Sequence, residues 1–212
     1  MDFQINKKIY FFIFIFFLVF FLRLYNINFE DLWFDEQASF LVANPNLSHN
    51  ETILLSKNLD NGTSIFFNLI LKKFFEFFGY DPNIGRIFTV LIGAFSIPAL
   101  SYLAYQIKKN NGYMLVAFLS SINWYLISYS QELRPYSLLF LLSILSIIFF
   151  LRLIDDDKKI INLNFFLFIL ISSLAAATHI FFFIILFSQF IFLVINRLKI
   201  KSYFYTKLLS LI

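Results

Sequence analysis

Two adjacent carboxylates, Asp35 and Glu36, are the first residues of this chain that could carry chemistry. They lie in the stretch NFEDLWFDEQASFLVA, residues 28–43, just after the first long apolar segment. An ionised side chain that faces lipid is energetically costly, so such residues beside a bilayer usually lie in water or in a protein cavity. The pair is therefore a candidate site, although the solvated face of a surface helix would account for the same dipeptide.

The composition of the chain is far from that of a soluble protein. Hydrophobic residues make up 60% of the 212 residues and charged residues only 14%, whereas soluble domains contain about 25% charged residues. The mean hydropathy is +0.77. We predict a polytopic membrane protein. The absence of Cys excludes disulfides and thiolate metal sites, and membrane orientation explains the net charge of +4 without a nucleic-acid partner.

The first apolar segment is an uncharged run, residues 9–22, that follows Lys7 and Lys8. By length alone it fits a signal-peptide core or a span. No small-residue cleavage site follows, because residues 23–26 are all large. We predict an uncleaved first helix, which extends over residues 9–27 if the Arg23 side chain snorkels to the interface.

Residues 26–84 are mixed in character and are predicted to form an outer loop that lies on the membrane. Within this loop, residues 31–43 have the apolar spacing of an amphipathic surface helix that ends near Asn44-Pro45. Residues 64–78 could form a second surface helix or a span. Lys72, Lys73 and Glu76 favour the surface position.

Four apolar segments follow, residues 87–107, 113–131, 135–151 and 160–196. The last is much longer than the roughly 20 residues that cross a bilayer, and it divides naturally at Thr178-His179. Residues 203–212 resemble the beginning of another span. The expected fold is an all-α polytopic transmembrane helical bundle with surface helices in its first outer loop. It is expected to form one module over residues 1–212 that is incomplete at the C-terminus.

The distribution of basic residues predicts the orientation of these spans. If residues 64–78 lie on the surface, most of the 17 Lys and Arg residues are cytoplasmic, in agreement with the positive-inside rule. This arrangement has six complete crossings, an incipient seventh and a cytoplasmic N-terminus. Three polar features then share the outer side: the Asp35-Glu36 pair, the stretch SQELRPY of residues 130–136, and His179.

The stretch SQELRPY joins two predicted spans and carries Glu132 and Arg134, with Pro135 at the start of a helix. A planar guanidinium can bind a phosphate through two parallel hydrogen bonds. The same Arg could instead be an interfacial anchor. His179 can act as a ligand, donor or switch, although a lone His at a helix junction is more often structural.

These motifs and their order resemble a known family. The first outer loop has LW-x-DE, at Leu32, Trp33, Asp35 and Glu36. A predicted helix then ends in FFG, at Phe77, Phe78 and Gly79, before Arg86. SQE-x-RPY follows at residues 130–136, and a later TH at Thr178 and His179. The sequence resembles the N-terminal half of GT-C glycosyltransferases. Within that group it is similar to the protein O-mannosyltransferase, aminoarabinose transferase and rhizobial galacturonic-acid transferase branch. The resemblance covers nearly the whole chain.

The resemblance implies a function. Members of this family take a sugar from a polyprenyl-phosphate donor and transfer it, on the extracytoplasmic face of the cell (inner) membrane, to a glycolipid, polysaccharide or protein hydroxyl. It implies that Asp35 is the general base and that the anomeric centre is inverted. Glu36 would orient the acceptor or, in some members, bind a divalent metal, the one cofactor that the resemblance suggests.

The resemblance also implies a cation that stabilises the phosphate leaving group. Arg134, supported by Glu132, is the first choice, and Lys72, Lys73 and Arg86 are lesser candidates. Tyr136 and His179 are further candidate site residues.

The chain departs from the family at residues 62–66, which read GTSIF where members commonly carry a Pro-Pro-Leu-Tyr-like opening. Two other classes remain open. One is a transporter of lipid-linked sugars, although transporters tend to place ionisable residues and broken helices near the midplane, where this chain has only Gly93 and Pro98 in the second crossing. The other is a non-catalytic membrane subunit or truncated pseudoenzyme.

Overall fold

The computed structural model describes residues 2–28, 30–59, 64–155 and 163–196. Every regular element in these ranges is an α-helix, so the all-α prediction is confirmed for them. The helices are α1 Asp2–Leu24, α2 Phe34–Val42, α3 His49–Leu59, α4 Ile65–Phe78, α5 Pro82–Lys108, α6 Gly112–Ser121, α7 Trp124–Gln131, α8 Tyr136–Asp155, α9 Leu163–Thr178 and α10 Phe182–Asn196.

Two of the described helices, α5 and α8, are long and apolar enough to cross a membrane, which favours membrane association. Four apolar segments are shorter: Ile9–Leu24, Gly112–Ser121, Leu163–Thr178 and Phe182–Ile195. The predicted division of residues 160–196 agrees with the end of α9 at Thr178. The predicted incipient span, residues 203–212, lies outside the described residues.

The polar region between α1 and α5 contains three helices rather than two. Helices α2 and α4 correspond to the predicted surface helices. Helix α3 was not predicted, and it begins at a capping box: Glu51 N donates to Ser48 Oγ at 3.2 Å, and Ser48 N donates to Glu51 Oε2 at 2.6 Å. The same bonds lower the pKa of the Glu51 carboxyl.

The predicted span over residues 113–131 is not one continuous helix, because the chain breaks there between α6 and α7. The Asn123 side chain caps α7 by accepting a hydrogen bond from Leu126 N at 3.1 Å. Asn and Asp compete with helix continuation by making such local bonds, so an Asn before an aromatic run favours a new helix start.

Helix α5 is the centre of the bundle and packs against α1, α4, α6, α7 and α8. Its far end is joined to that of α8, because Arg152 Nη2 donates to Tyr102 Oη at 2.8 Å and Gln106 Nε2 donates to Ile148 O at 3.3 Å. The two helices therefore run parallel, with their C-terminal ends together. The beginning of α5, the loop before α8 and the turn after α9 consequently meet at the other end, which we call the site end.

Two close approaches to α5 shape the site end. A Cβ atom on Gly93 would overlap the Ser130 hydroxyl of α7, and one on Gly85 would lie 2.8 Å from Leu133 Cδ1. Only a residue without a side chain allows α7 and the following loop to lie this near to α5. Gly93, considered above as a transporter-type break, therefore has a packing role.

The Arg23 side chain does not snorkel, contrary to the condition set for the longer first span. Arg23 is 0% exposed, and its Nε donates to Ser130 Oγ at 3.1 Å. Helix α1 accordingly ends at Leu24 rather than at residue 27. The guanidinium reaches sideways toward α7 because the Gly93 surface of α5 leaves room beside it.

Candidate functional site

Glu36 is held on all sides by hydrogen-bond donors. Its Oε1 accepts from Arg86 Nε at 3.1 Å and Leu133 N at 2.7 Å. Its Oε2 accepts from Arg86 Nη2 at 2.8 Å and Trp33 N at 3.1 Å. The residue is only 1% exposed. This side chain therefore joins α2, α5 and the loop before α8, and we call the ion pair the Glu36–Arg86 clamp.

The rest of the Arg86 guanidinium binds the backbone that leads into α2. Nη1 donates to Ile27 O at 3.0 Å and to Glu30 O at 2.7 Å, and Nη2 donates to Asp31 O at 3.3 Å. With the two bonds to Glu36, all five N–H groups of Arg86 are engaged. In this arrangement Arg86 has no N–H left for a phosphate, so it orients the segment that carries Asp35.

Helix geometry separates the two neighbouring carboxylates. Glu36 is the third residue of α2, the position from which a Glu side chain reaches back to the backbone N–H of the cap. Asp35 precedes it by about 100° of helix rotation, and its side chain is 65% exposed. Of the two acids, Asp35 is thus the one that a substrate could reach.

Arg134 lies beside Asp35. Its Nη2 is 3.4 Å from Asp35 Oδ2, and its Nη1 donates to Asp35 O at 3.1 Å. The Arg134 side chain is 11% exposed, so the charge is largely desolvated while the carboxylate next to it faces outward. An exposed carboxylate next to a partly buried guanidinium offers a proton acceptor and an anion-binding group at one place.

Tyr136 and His179 continue this arrangement. Arg134 Nη2 donates to Tyr136 Oη at 3.5 Å, and the rings of Tyr136 and His179 lie 5.8 Å apart. His179 Nδ1 accepts from Phe181 N at 3.2 Å, so a neutral imidazole carries its proton on Nε2. Asp35, Arg134, Tyr136 and His179 therefore form a continuous set at the site end, which we call the polar row.

Lys72 and Lys73 make contacts elsewhere. Lys72 is 2% exposed and its Nζ donates to Leu47 O. Lys73 Nζ lies 2.6 Å from Glu76 Oε2 within α4, at an exposed position. The structure thus places both ammonium groups in contacts of α4 and the segment before α3 rather than in the polar row.

Glu132 lines a cavity of about 410 Å³ between the end of α1, the segment before α2, and α7. Glu30, Glu36 and Arg86 also line it, as do Trp33 and Trp124. Burial raises the pKa of the Glu132 carboxyl, and the nearby charge of Glu36 raises it further, while Arg134 opposes both effects. The neutral form of this acid is therefore favoured relative to an ordinary Glu.

A second cavity, of about 360 Å³, lies on the other side of α7. It is lined by Tyr136 of the polar row and by Leu126, Tyr129, Phe140 and Phe181. Ser130 and Gly93 complete the wall next to Arg23. This cavity is mainly apolar and opens beside the polar row. The hydrocarbon chain of a ligand whose polar group lies at the row would therefore fit it.

The residues at Glu36 do not fit a divalent metal. Both of its carboxylate oxygens already accept two hydrogen bonds each, so their lone pairs are used. Among the residues that the structure describes, His, Asp and Glu side chains do not come together in groups of three that could hold an ion. No metal-dependent step follows from this geometry.

Sequence reasoning missed two parts of the site. Arg23 is buried in the bundle: its Nη1 donates to Val19 O at 3.4 Å, and its Nη2 has no hydrogen-bond partner within the described residues. A charge in the last turn of an apolar helix was the available signal. Trp124, the first residue of α7, gave no such signal, and it lines the same cavity as Trp33.

Comparisons of the chain with protein-family models, with curated proteins and with solved structures gave no match. Functional inference therefore depends on the geometry of the polar row and its two neighbouring cavities. Of the residues proposed from sequence, Asp35, Arg134, Tyr136 and His179 meet in that row. The Glu36–Arg86 clamp lies next to the row, because Glu36 directly follows Asp35 in α2.

Proposed function

We propose that this chain is a membrane glycosyltransferase that moves a sugar from a polyprenyl-phosphate donor to an acceptor hydroxyl on the extracytoplasmic face. One observation carries the proposal: the exposed Asp35 carboxylate lies 3.4 Å from the largely buried Arg134 guanidinium. Displacing a sugar from a phosphate requires a base for the incoming hydroxyl and a cation for the departing phosphate. These two groups are adjacent here.

The reaction needs one displacement. Asp35 accepts the proton of the acceptor hydroxyl while the hydroxyl oxygen forms a bond to the anomeric carbon. The bond between that carbon and the phosphate oxygen breaks, and the electron pair leaves with the polyprenyl phosphate. Arg134 stabilises the charge of this leaving group through fork-shaped hydrogen bonds. Because Asp35 acts only as a base, the anomeric centre inverts.

The other residues of the row and its surroundings have supporting roles. Tyr136 accepts a hydrogen bond from Arg134, and its ring in turn contacts that of His179. The Glu36–Arg86 clamp orients the start of α2, from which Asp35 projects. The apolar cavity lined by Leu126, Phe140 and Phe181 would take the first part of the donor's hydrocarbon chain beyond Tyr136.

The proposal includes a multi-pass arrangement in the cell (inner) membrane. Helices α1, α5, α8, α9 and α10 would each cross, and α6 with α7 would together form one more crossing. The site end would face the extracytoplasmic side, with the N-terminus in the cytoplasm. The positive-inside rule supports this orientation, because Lys108, Lys109 and Arg152 lie at the end opposite to the polar row.

Donor consumption by purified protein in lipid nanodiscs tests the proposal. The protein is given a panel of polyprenyl-phosphate sugars (hexose, hexuronic acid and aminopentose) with a lipid-extract acceptor, and release of polyprenyl phosphate is measured. We expect Asp35→Asn to lower turnover by at least about 100-fold, since positioned general bases contribute that much. Asp31→Asn is the matched control, because Asp31 is an exposed carboxylate four residues earlier, in the segment before α2.

Turnover by Asp35→Asn within about threefold of the unchanged protein would contradict the assignment of the base. If folded protein consumes none of the donors, the reading as a non-catalytic membrane subunit gains support instead.

A further inference from the structure

The cavity of about 410 Å³ beside the polar row has an unusual charge. Among its lining residues that the structure describes, Glu30, Glu36 and Glu132 are acidic and Arg86 is basic. Arg86 is fully engaged by Glu36 and by backbone carbonyls, so this pair compensates itself. Glu30 and Glu132 remain as an excess of acid in the described lining, although the charges of Arg134 and Arg86 also act on Glu132. An anionic ligand would be repelled here, and a cationic one would be attracted.

Glu132 supplies the inner acid of this cavity. Its carboxyl is half-buried, and both burial and the nearby Glu36 disfavour its ionised form. A positive group next to the carboxylate would reverse that penalty, because an opposite charge within about 4–6 Å favours ionisation. A cation bound in the cavity would therefore shift Glu132 toward its ionised form and be held by that charge.

Aromatic rings form the rim of the same cavity. Trp33, Trp124 and Tyr25 all line it and all are exposed. Trp33 Nε1 donates to Glu30 Oε2 at 3.4 Å, which holds the outer acid beside the indole. Large exposed rings are costly in water, and their faces attract cations and pack on apolar ring surfaces. Asn26, Ser128 and Gln131 add polar groups for hydroxyls.

We propose that this cavity binds a sugar ring that carries an ammonium group, with the ammonium between Glu132 and Glu30 and the ring between Trp33 and Trp124. The volume is in the range of about 300–1,000 Å³ that is typical of small-molecule sites. The inference rests on the proposed function in one respect: that the bound ring is the transferred sugar or the accepting sugar. The charge preference follows from the cavity itself.

Intrinsic fluorescence can report binding directly, because Trp33 and Trp124 are the two tryptophans of the chain and both line the cavity. The purified protein in nanodiscs is titrated with glucosamine, with glucose and with glucuronate at one slightly acid pH and one ionic strength. N-acetylglucosamine serves as the uncharged analogue of the amine. We expect glucosamine to bind at least about tenfold more tightly than glucose or N-acetylglucosamine, and glucuronate to bind more weakly than glucose.

Charge-removing variants identify the acids that give this preference. Glu132→Gln should reduce glucosamine affinity to about that of glucose, and Glu30→Gln should reduce it less, because Glu30 is more exposed. Glu76→Gln is the control, since it removes an exposed carboxylate of α4 outside the cavity. Melting temperatures in the absence of sugar show that the variants are folded.

Two results would overturn the inference. One is equal affinity for glucosamine and glucose, or no fluorescence change with any sugar. The other is an undiminished preference in the double variant Glu30→Gln/Glu132→Gln.

The inference and the proposed function fail in different ways. If the protein prefers glucosamine but transfers sugar from none of the donors, the cavity assignment stands and the proposed glycosyltransferase activity is contradicted. If transfer depends on Asp35 but the protein shows no preference for glucosamine, only the cavity assignment is contradicted. Binding is expected to persist in Asp35→Asn, because Asp35 does not belong to the cavity lining.

Discussion

Asp35 and Glu36 are neighbours in sequence with opposite environments. Glu36 accepts four hydrogen bonds in the interior, whereas Asp35 faces outward beside Arg134. The first turn of α2 creates this difference, because one residue of rotation moves a side chain from the α5 side to the outer side. Glu36 therefore has no lone pair left for a substrate, whereas Asp35 does.

Breaking the Glu36–Arg86 clamp should be strongly destabilising. Arg86→Met leaves the Glu36 carboxylate buried without its counter-charge, and such losses cost about 3–5 kcal/mol. The free energy of unfolding in detergent, measured by denaturant titration, checks this value. The double variant Glu36→Met/Arg86→Met should lose less than the sum of the single variants, because no unpaired charge remains.

Lys73→Met provides the control for the clamp. It breaks the exposed pair with Glu76 and should change stability very little. An Arg86→Met effect as small as that of Lys73→Met would show that the clamp does not stabilise the site end.

The raised pKa of Glu132 predicts a pH effect on stability. Below the pKa of the unfolded chain, about 4.3 for Glu, both states are protonated and the group contributes nothing. As pH rises from there to the higher pKa of the folded state, the unfolded chain loses its proton first and stability falls. Glu132→Gln should remove this fall, so the variant gains stability relative to the unchanged protein over that interval.

Melting temperatures of both proteins across a pH series measure the effect. A relative loss of stability by Glu132→Gln as pH rises would contradict the assigned direction.

The grouping of the polar row could be predicted from sequence, but the clamp could not. Placing Asp35, Arg134 and His179 on one side required only the number of crossings and the basic-residue pattern. Besides the local donor Trp33 N, the donors of Glu36 are Arg86 and Leu133 N, which lie 50 and 97 residues away along the chain. No local pattern identifies such partners, and an Arg near the start of an apolar helix equally suits a phosphate or a carboxylate.

At the scale of elements, the contact between α5 and α7 depends on Gly93. In Gly93→Ala the new Cβ would overlap the Ser130 hydroxyl and lie 2.7 Å from Ser130 Cβ. We expect a loss of about 1–3 kcal/mol from the forced separation of the helices. The second change Ser130→Gly should recover part of it by removing the obstructing side chain, although the Arg23 bond is then lost.

Gly112→Ala serves as the matched control, because its nearest obstacle is the end of the flexible Asn110 side chain. Melting temperatures of the three variants give the comparison. Equal tolerance of Gly93→Ala and Gly112→Ala would contradict the close α5–α7 approach.

The unpredicted elements have local causes that were present in the sequence. The capping box of Ser48 and Glu51 begins α3 inside a stretch that was interpreted as polar loop. Asn123 begins α7 inside a stretch whose hydropathy favoured one continuous span. Hydropathy averaged over a span detects burial but not these single capping residues. By contrast, the apolar face of residues 31–43 was sufficient to predict α2.

At the scale of the whole molecule, the parallel packing of α5 and α8 brings sequence-distant loops together. Because α5 and α8 run in the same direction, the segment before α2, the loop before α8 and the turn after α9 share one end. Lys108, Lys109 and Arg152 lie at the other end. If the chain crosses a membrane as proposed, this asymmetry fixes the side on which the polar row works.

Single-cysteine labelling of intact cells is the most direct test of a shared extracytoplasmic site, because the chain has no native Cys. Cysteines replace the exposed residues Asn50, Asn111 and Ile180 one at a time, and a membrane-impermeant maleimide is added before or after permeabilisation. We predict that positions 50 and 180 label in intact cells and that position 111 labels only after permeabilisation. Labelling of position 180 only after permeabilisation, with position 50 labelled from outside, would separate His179 from Asp35 across the membrane and contradict the proposed site.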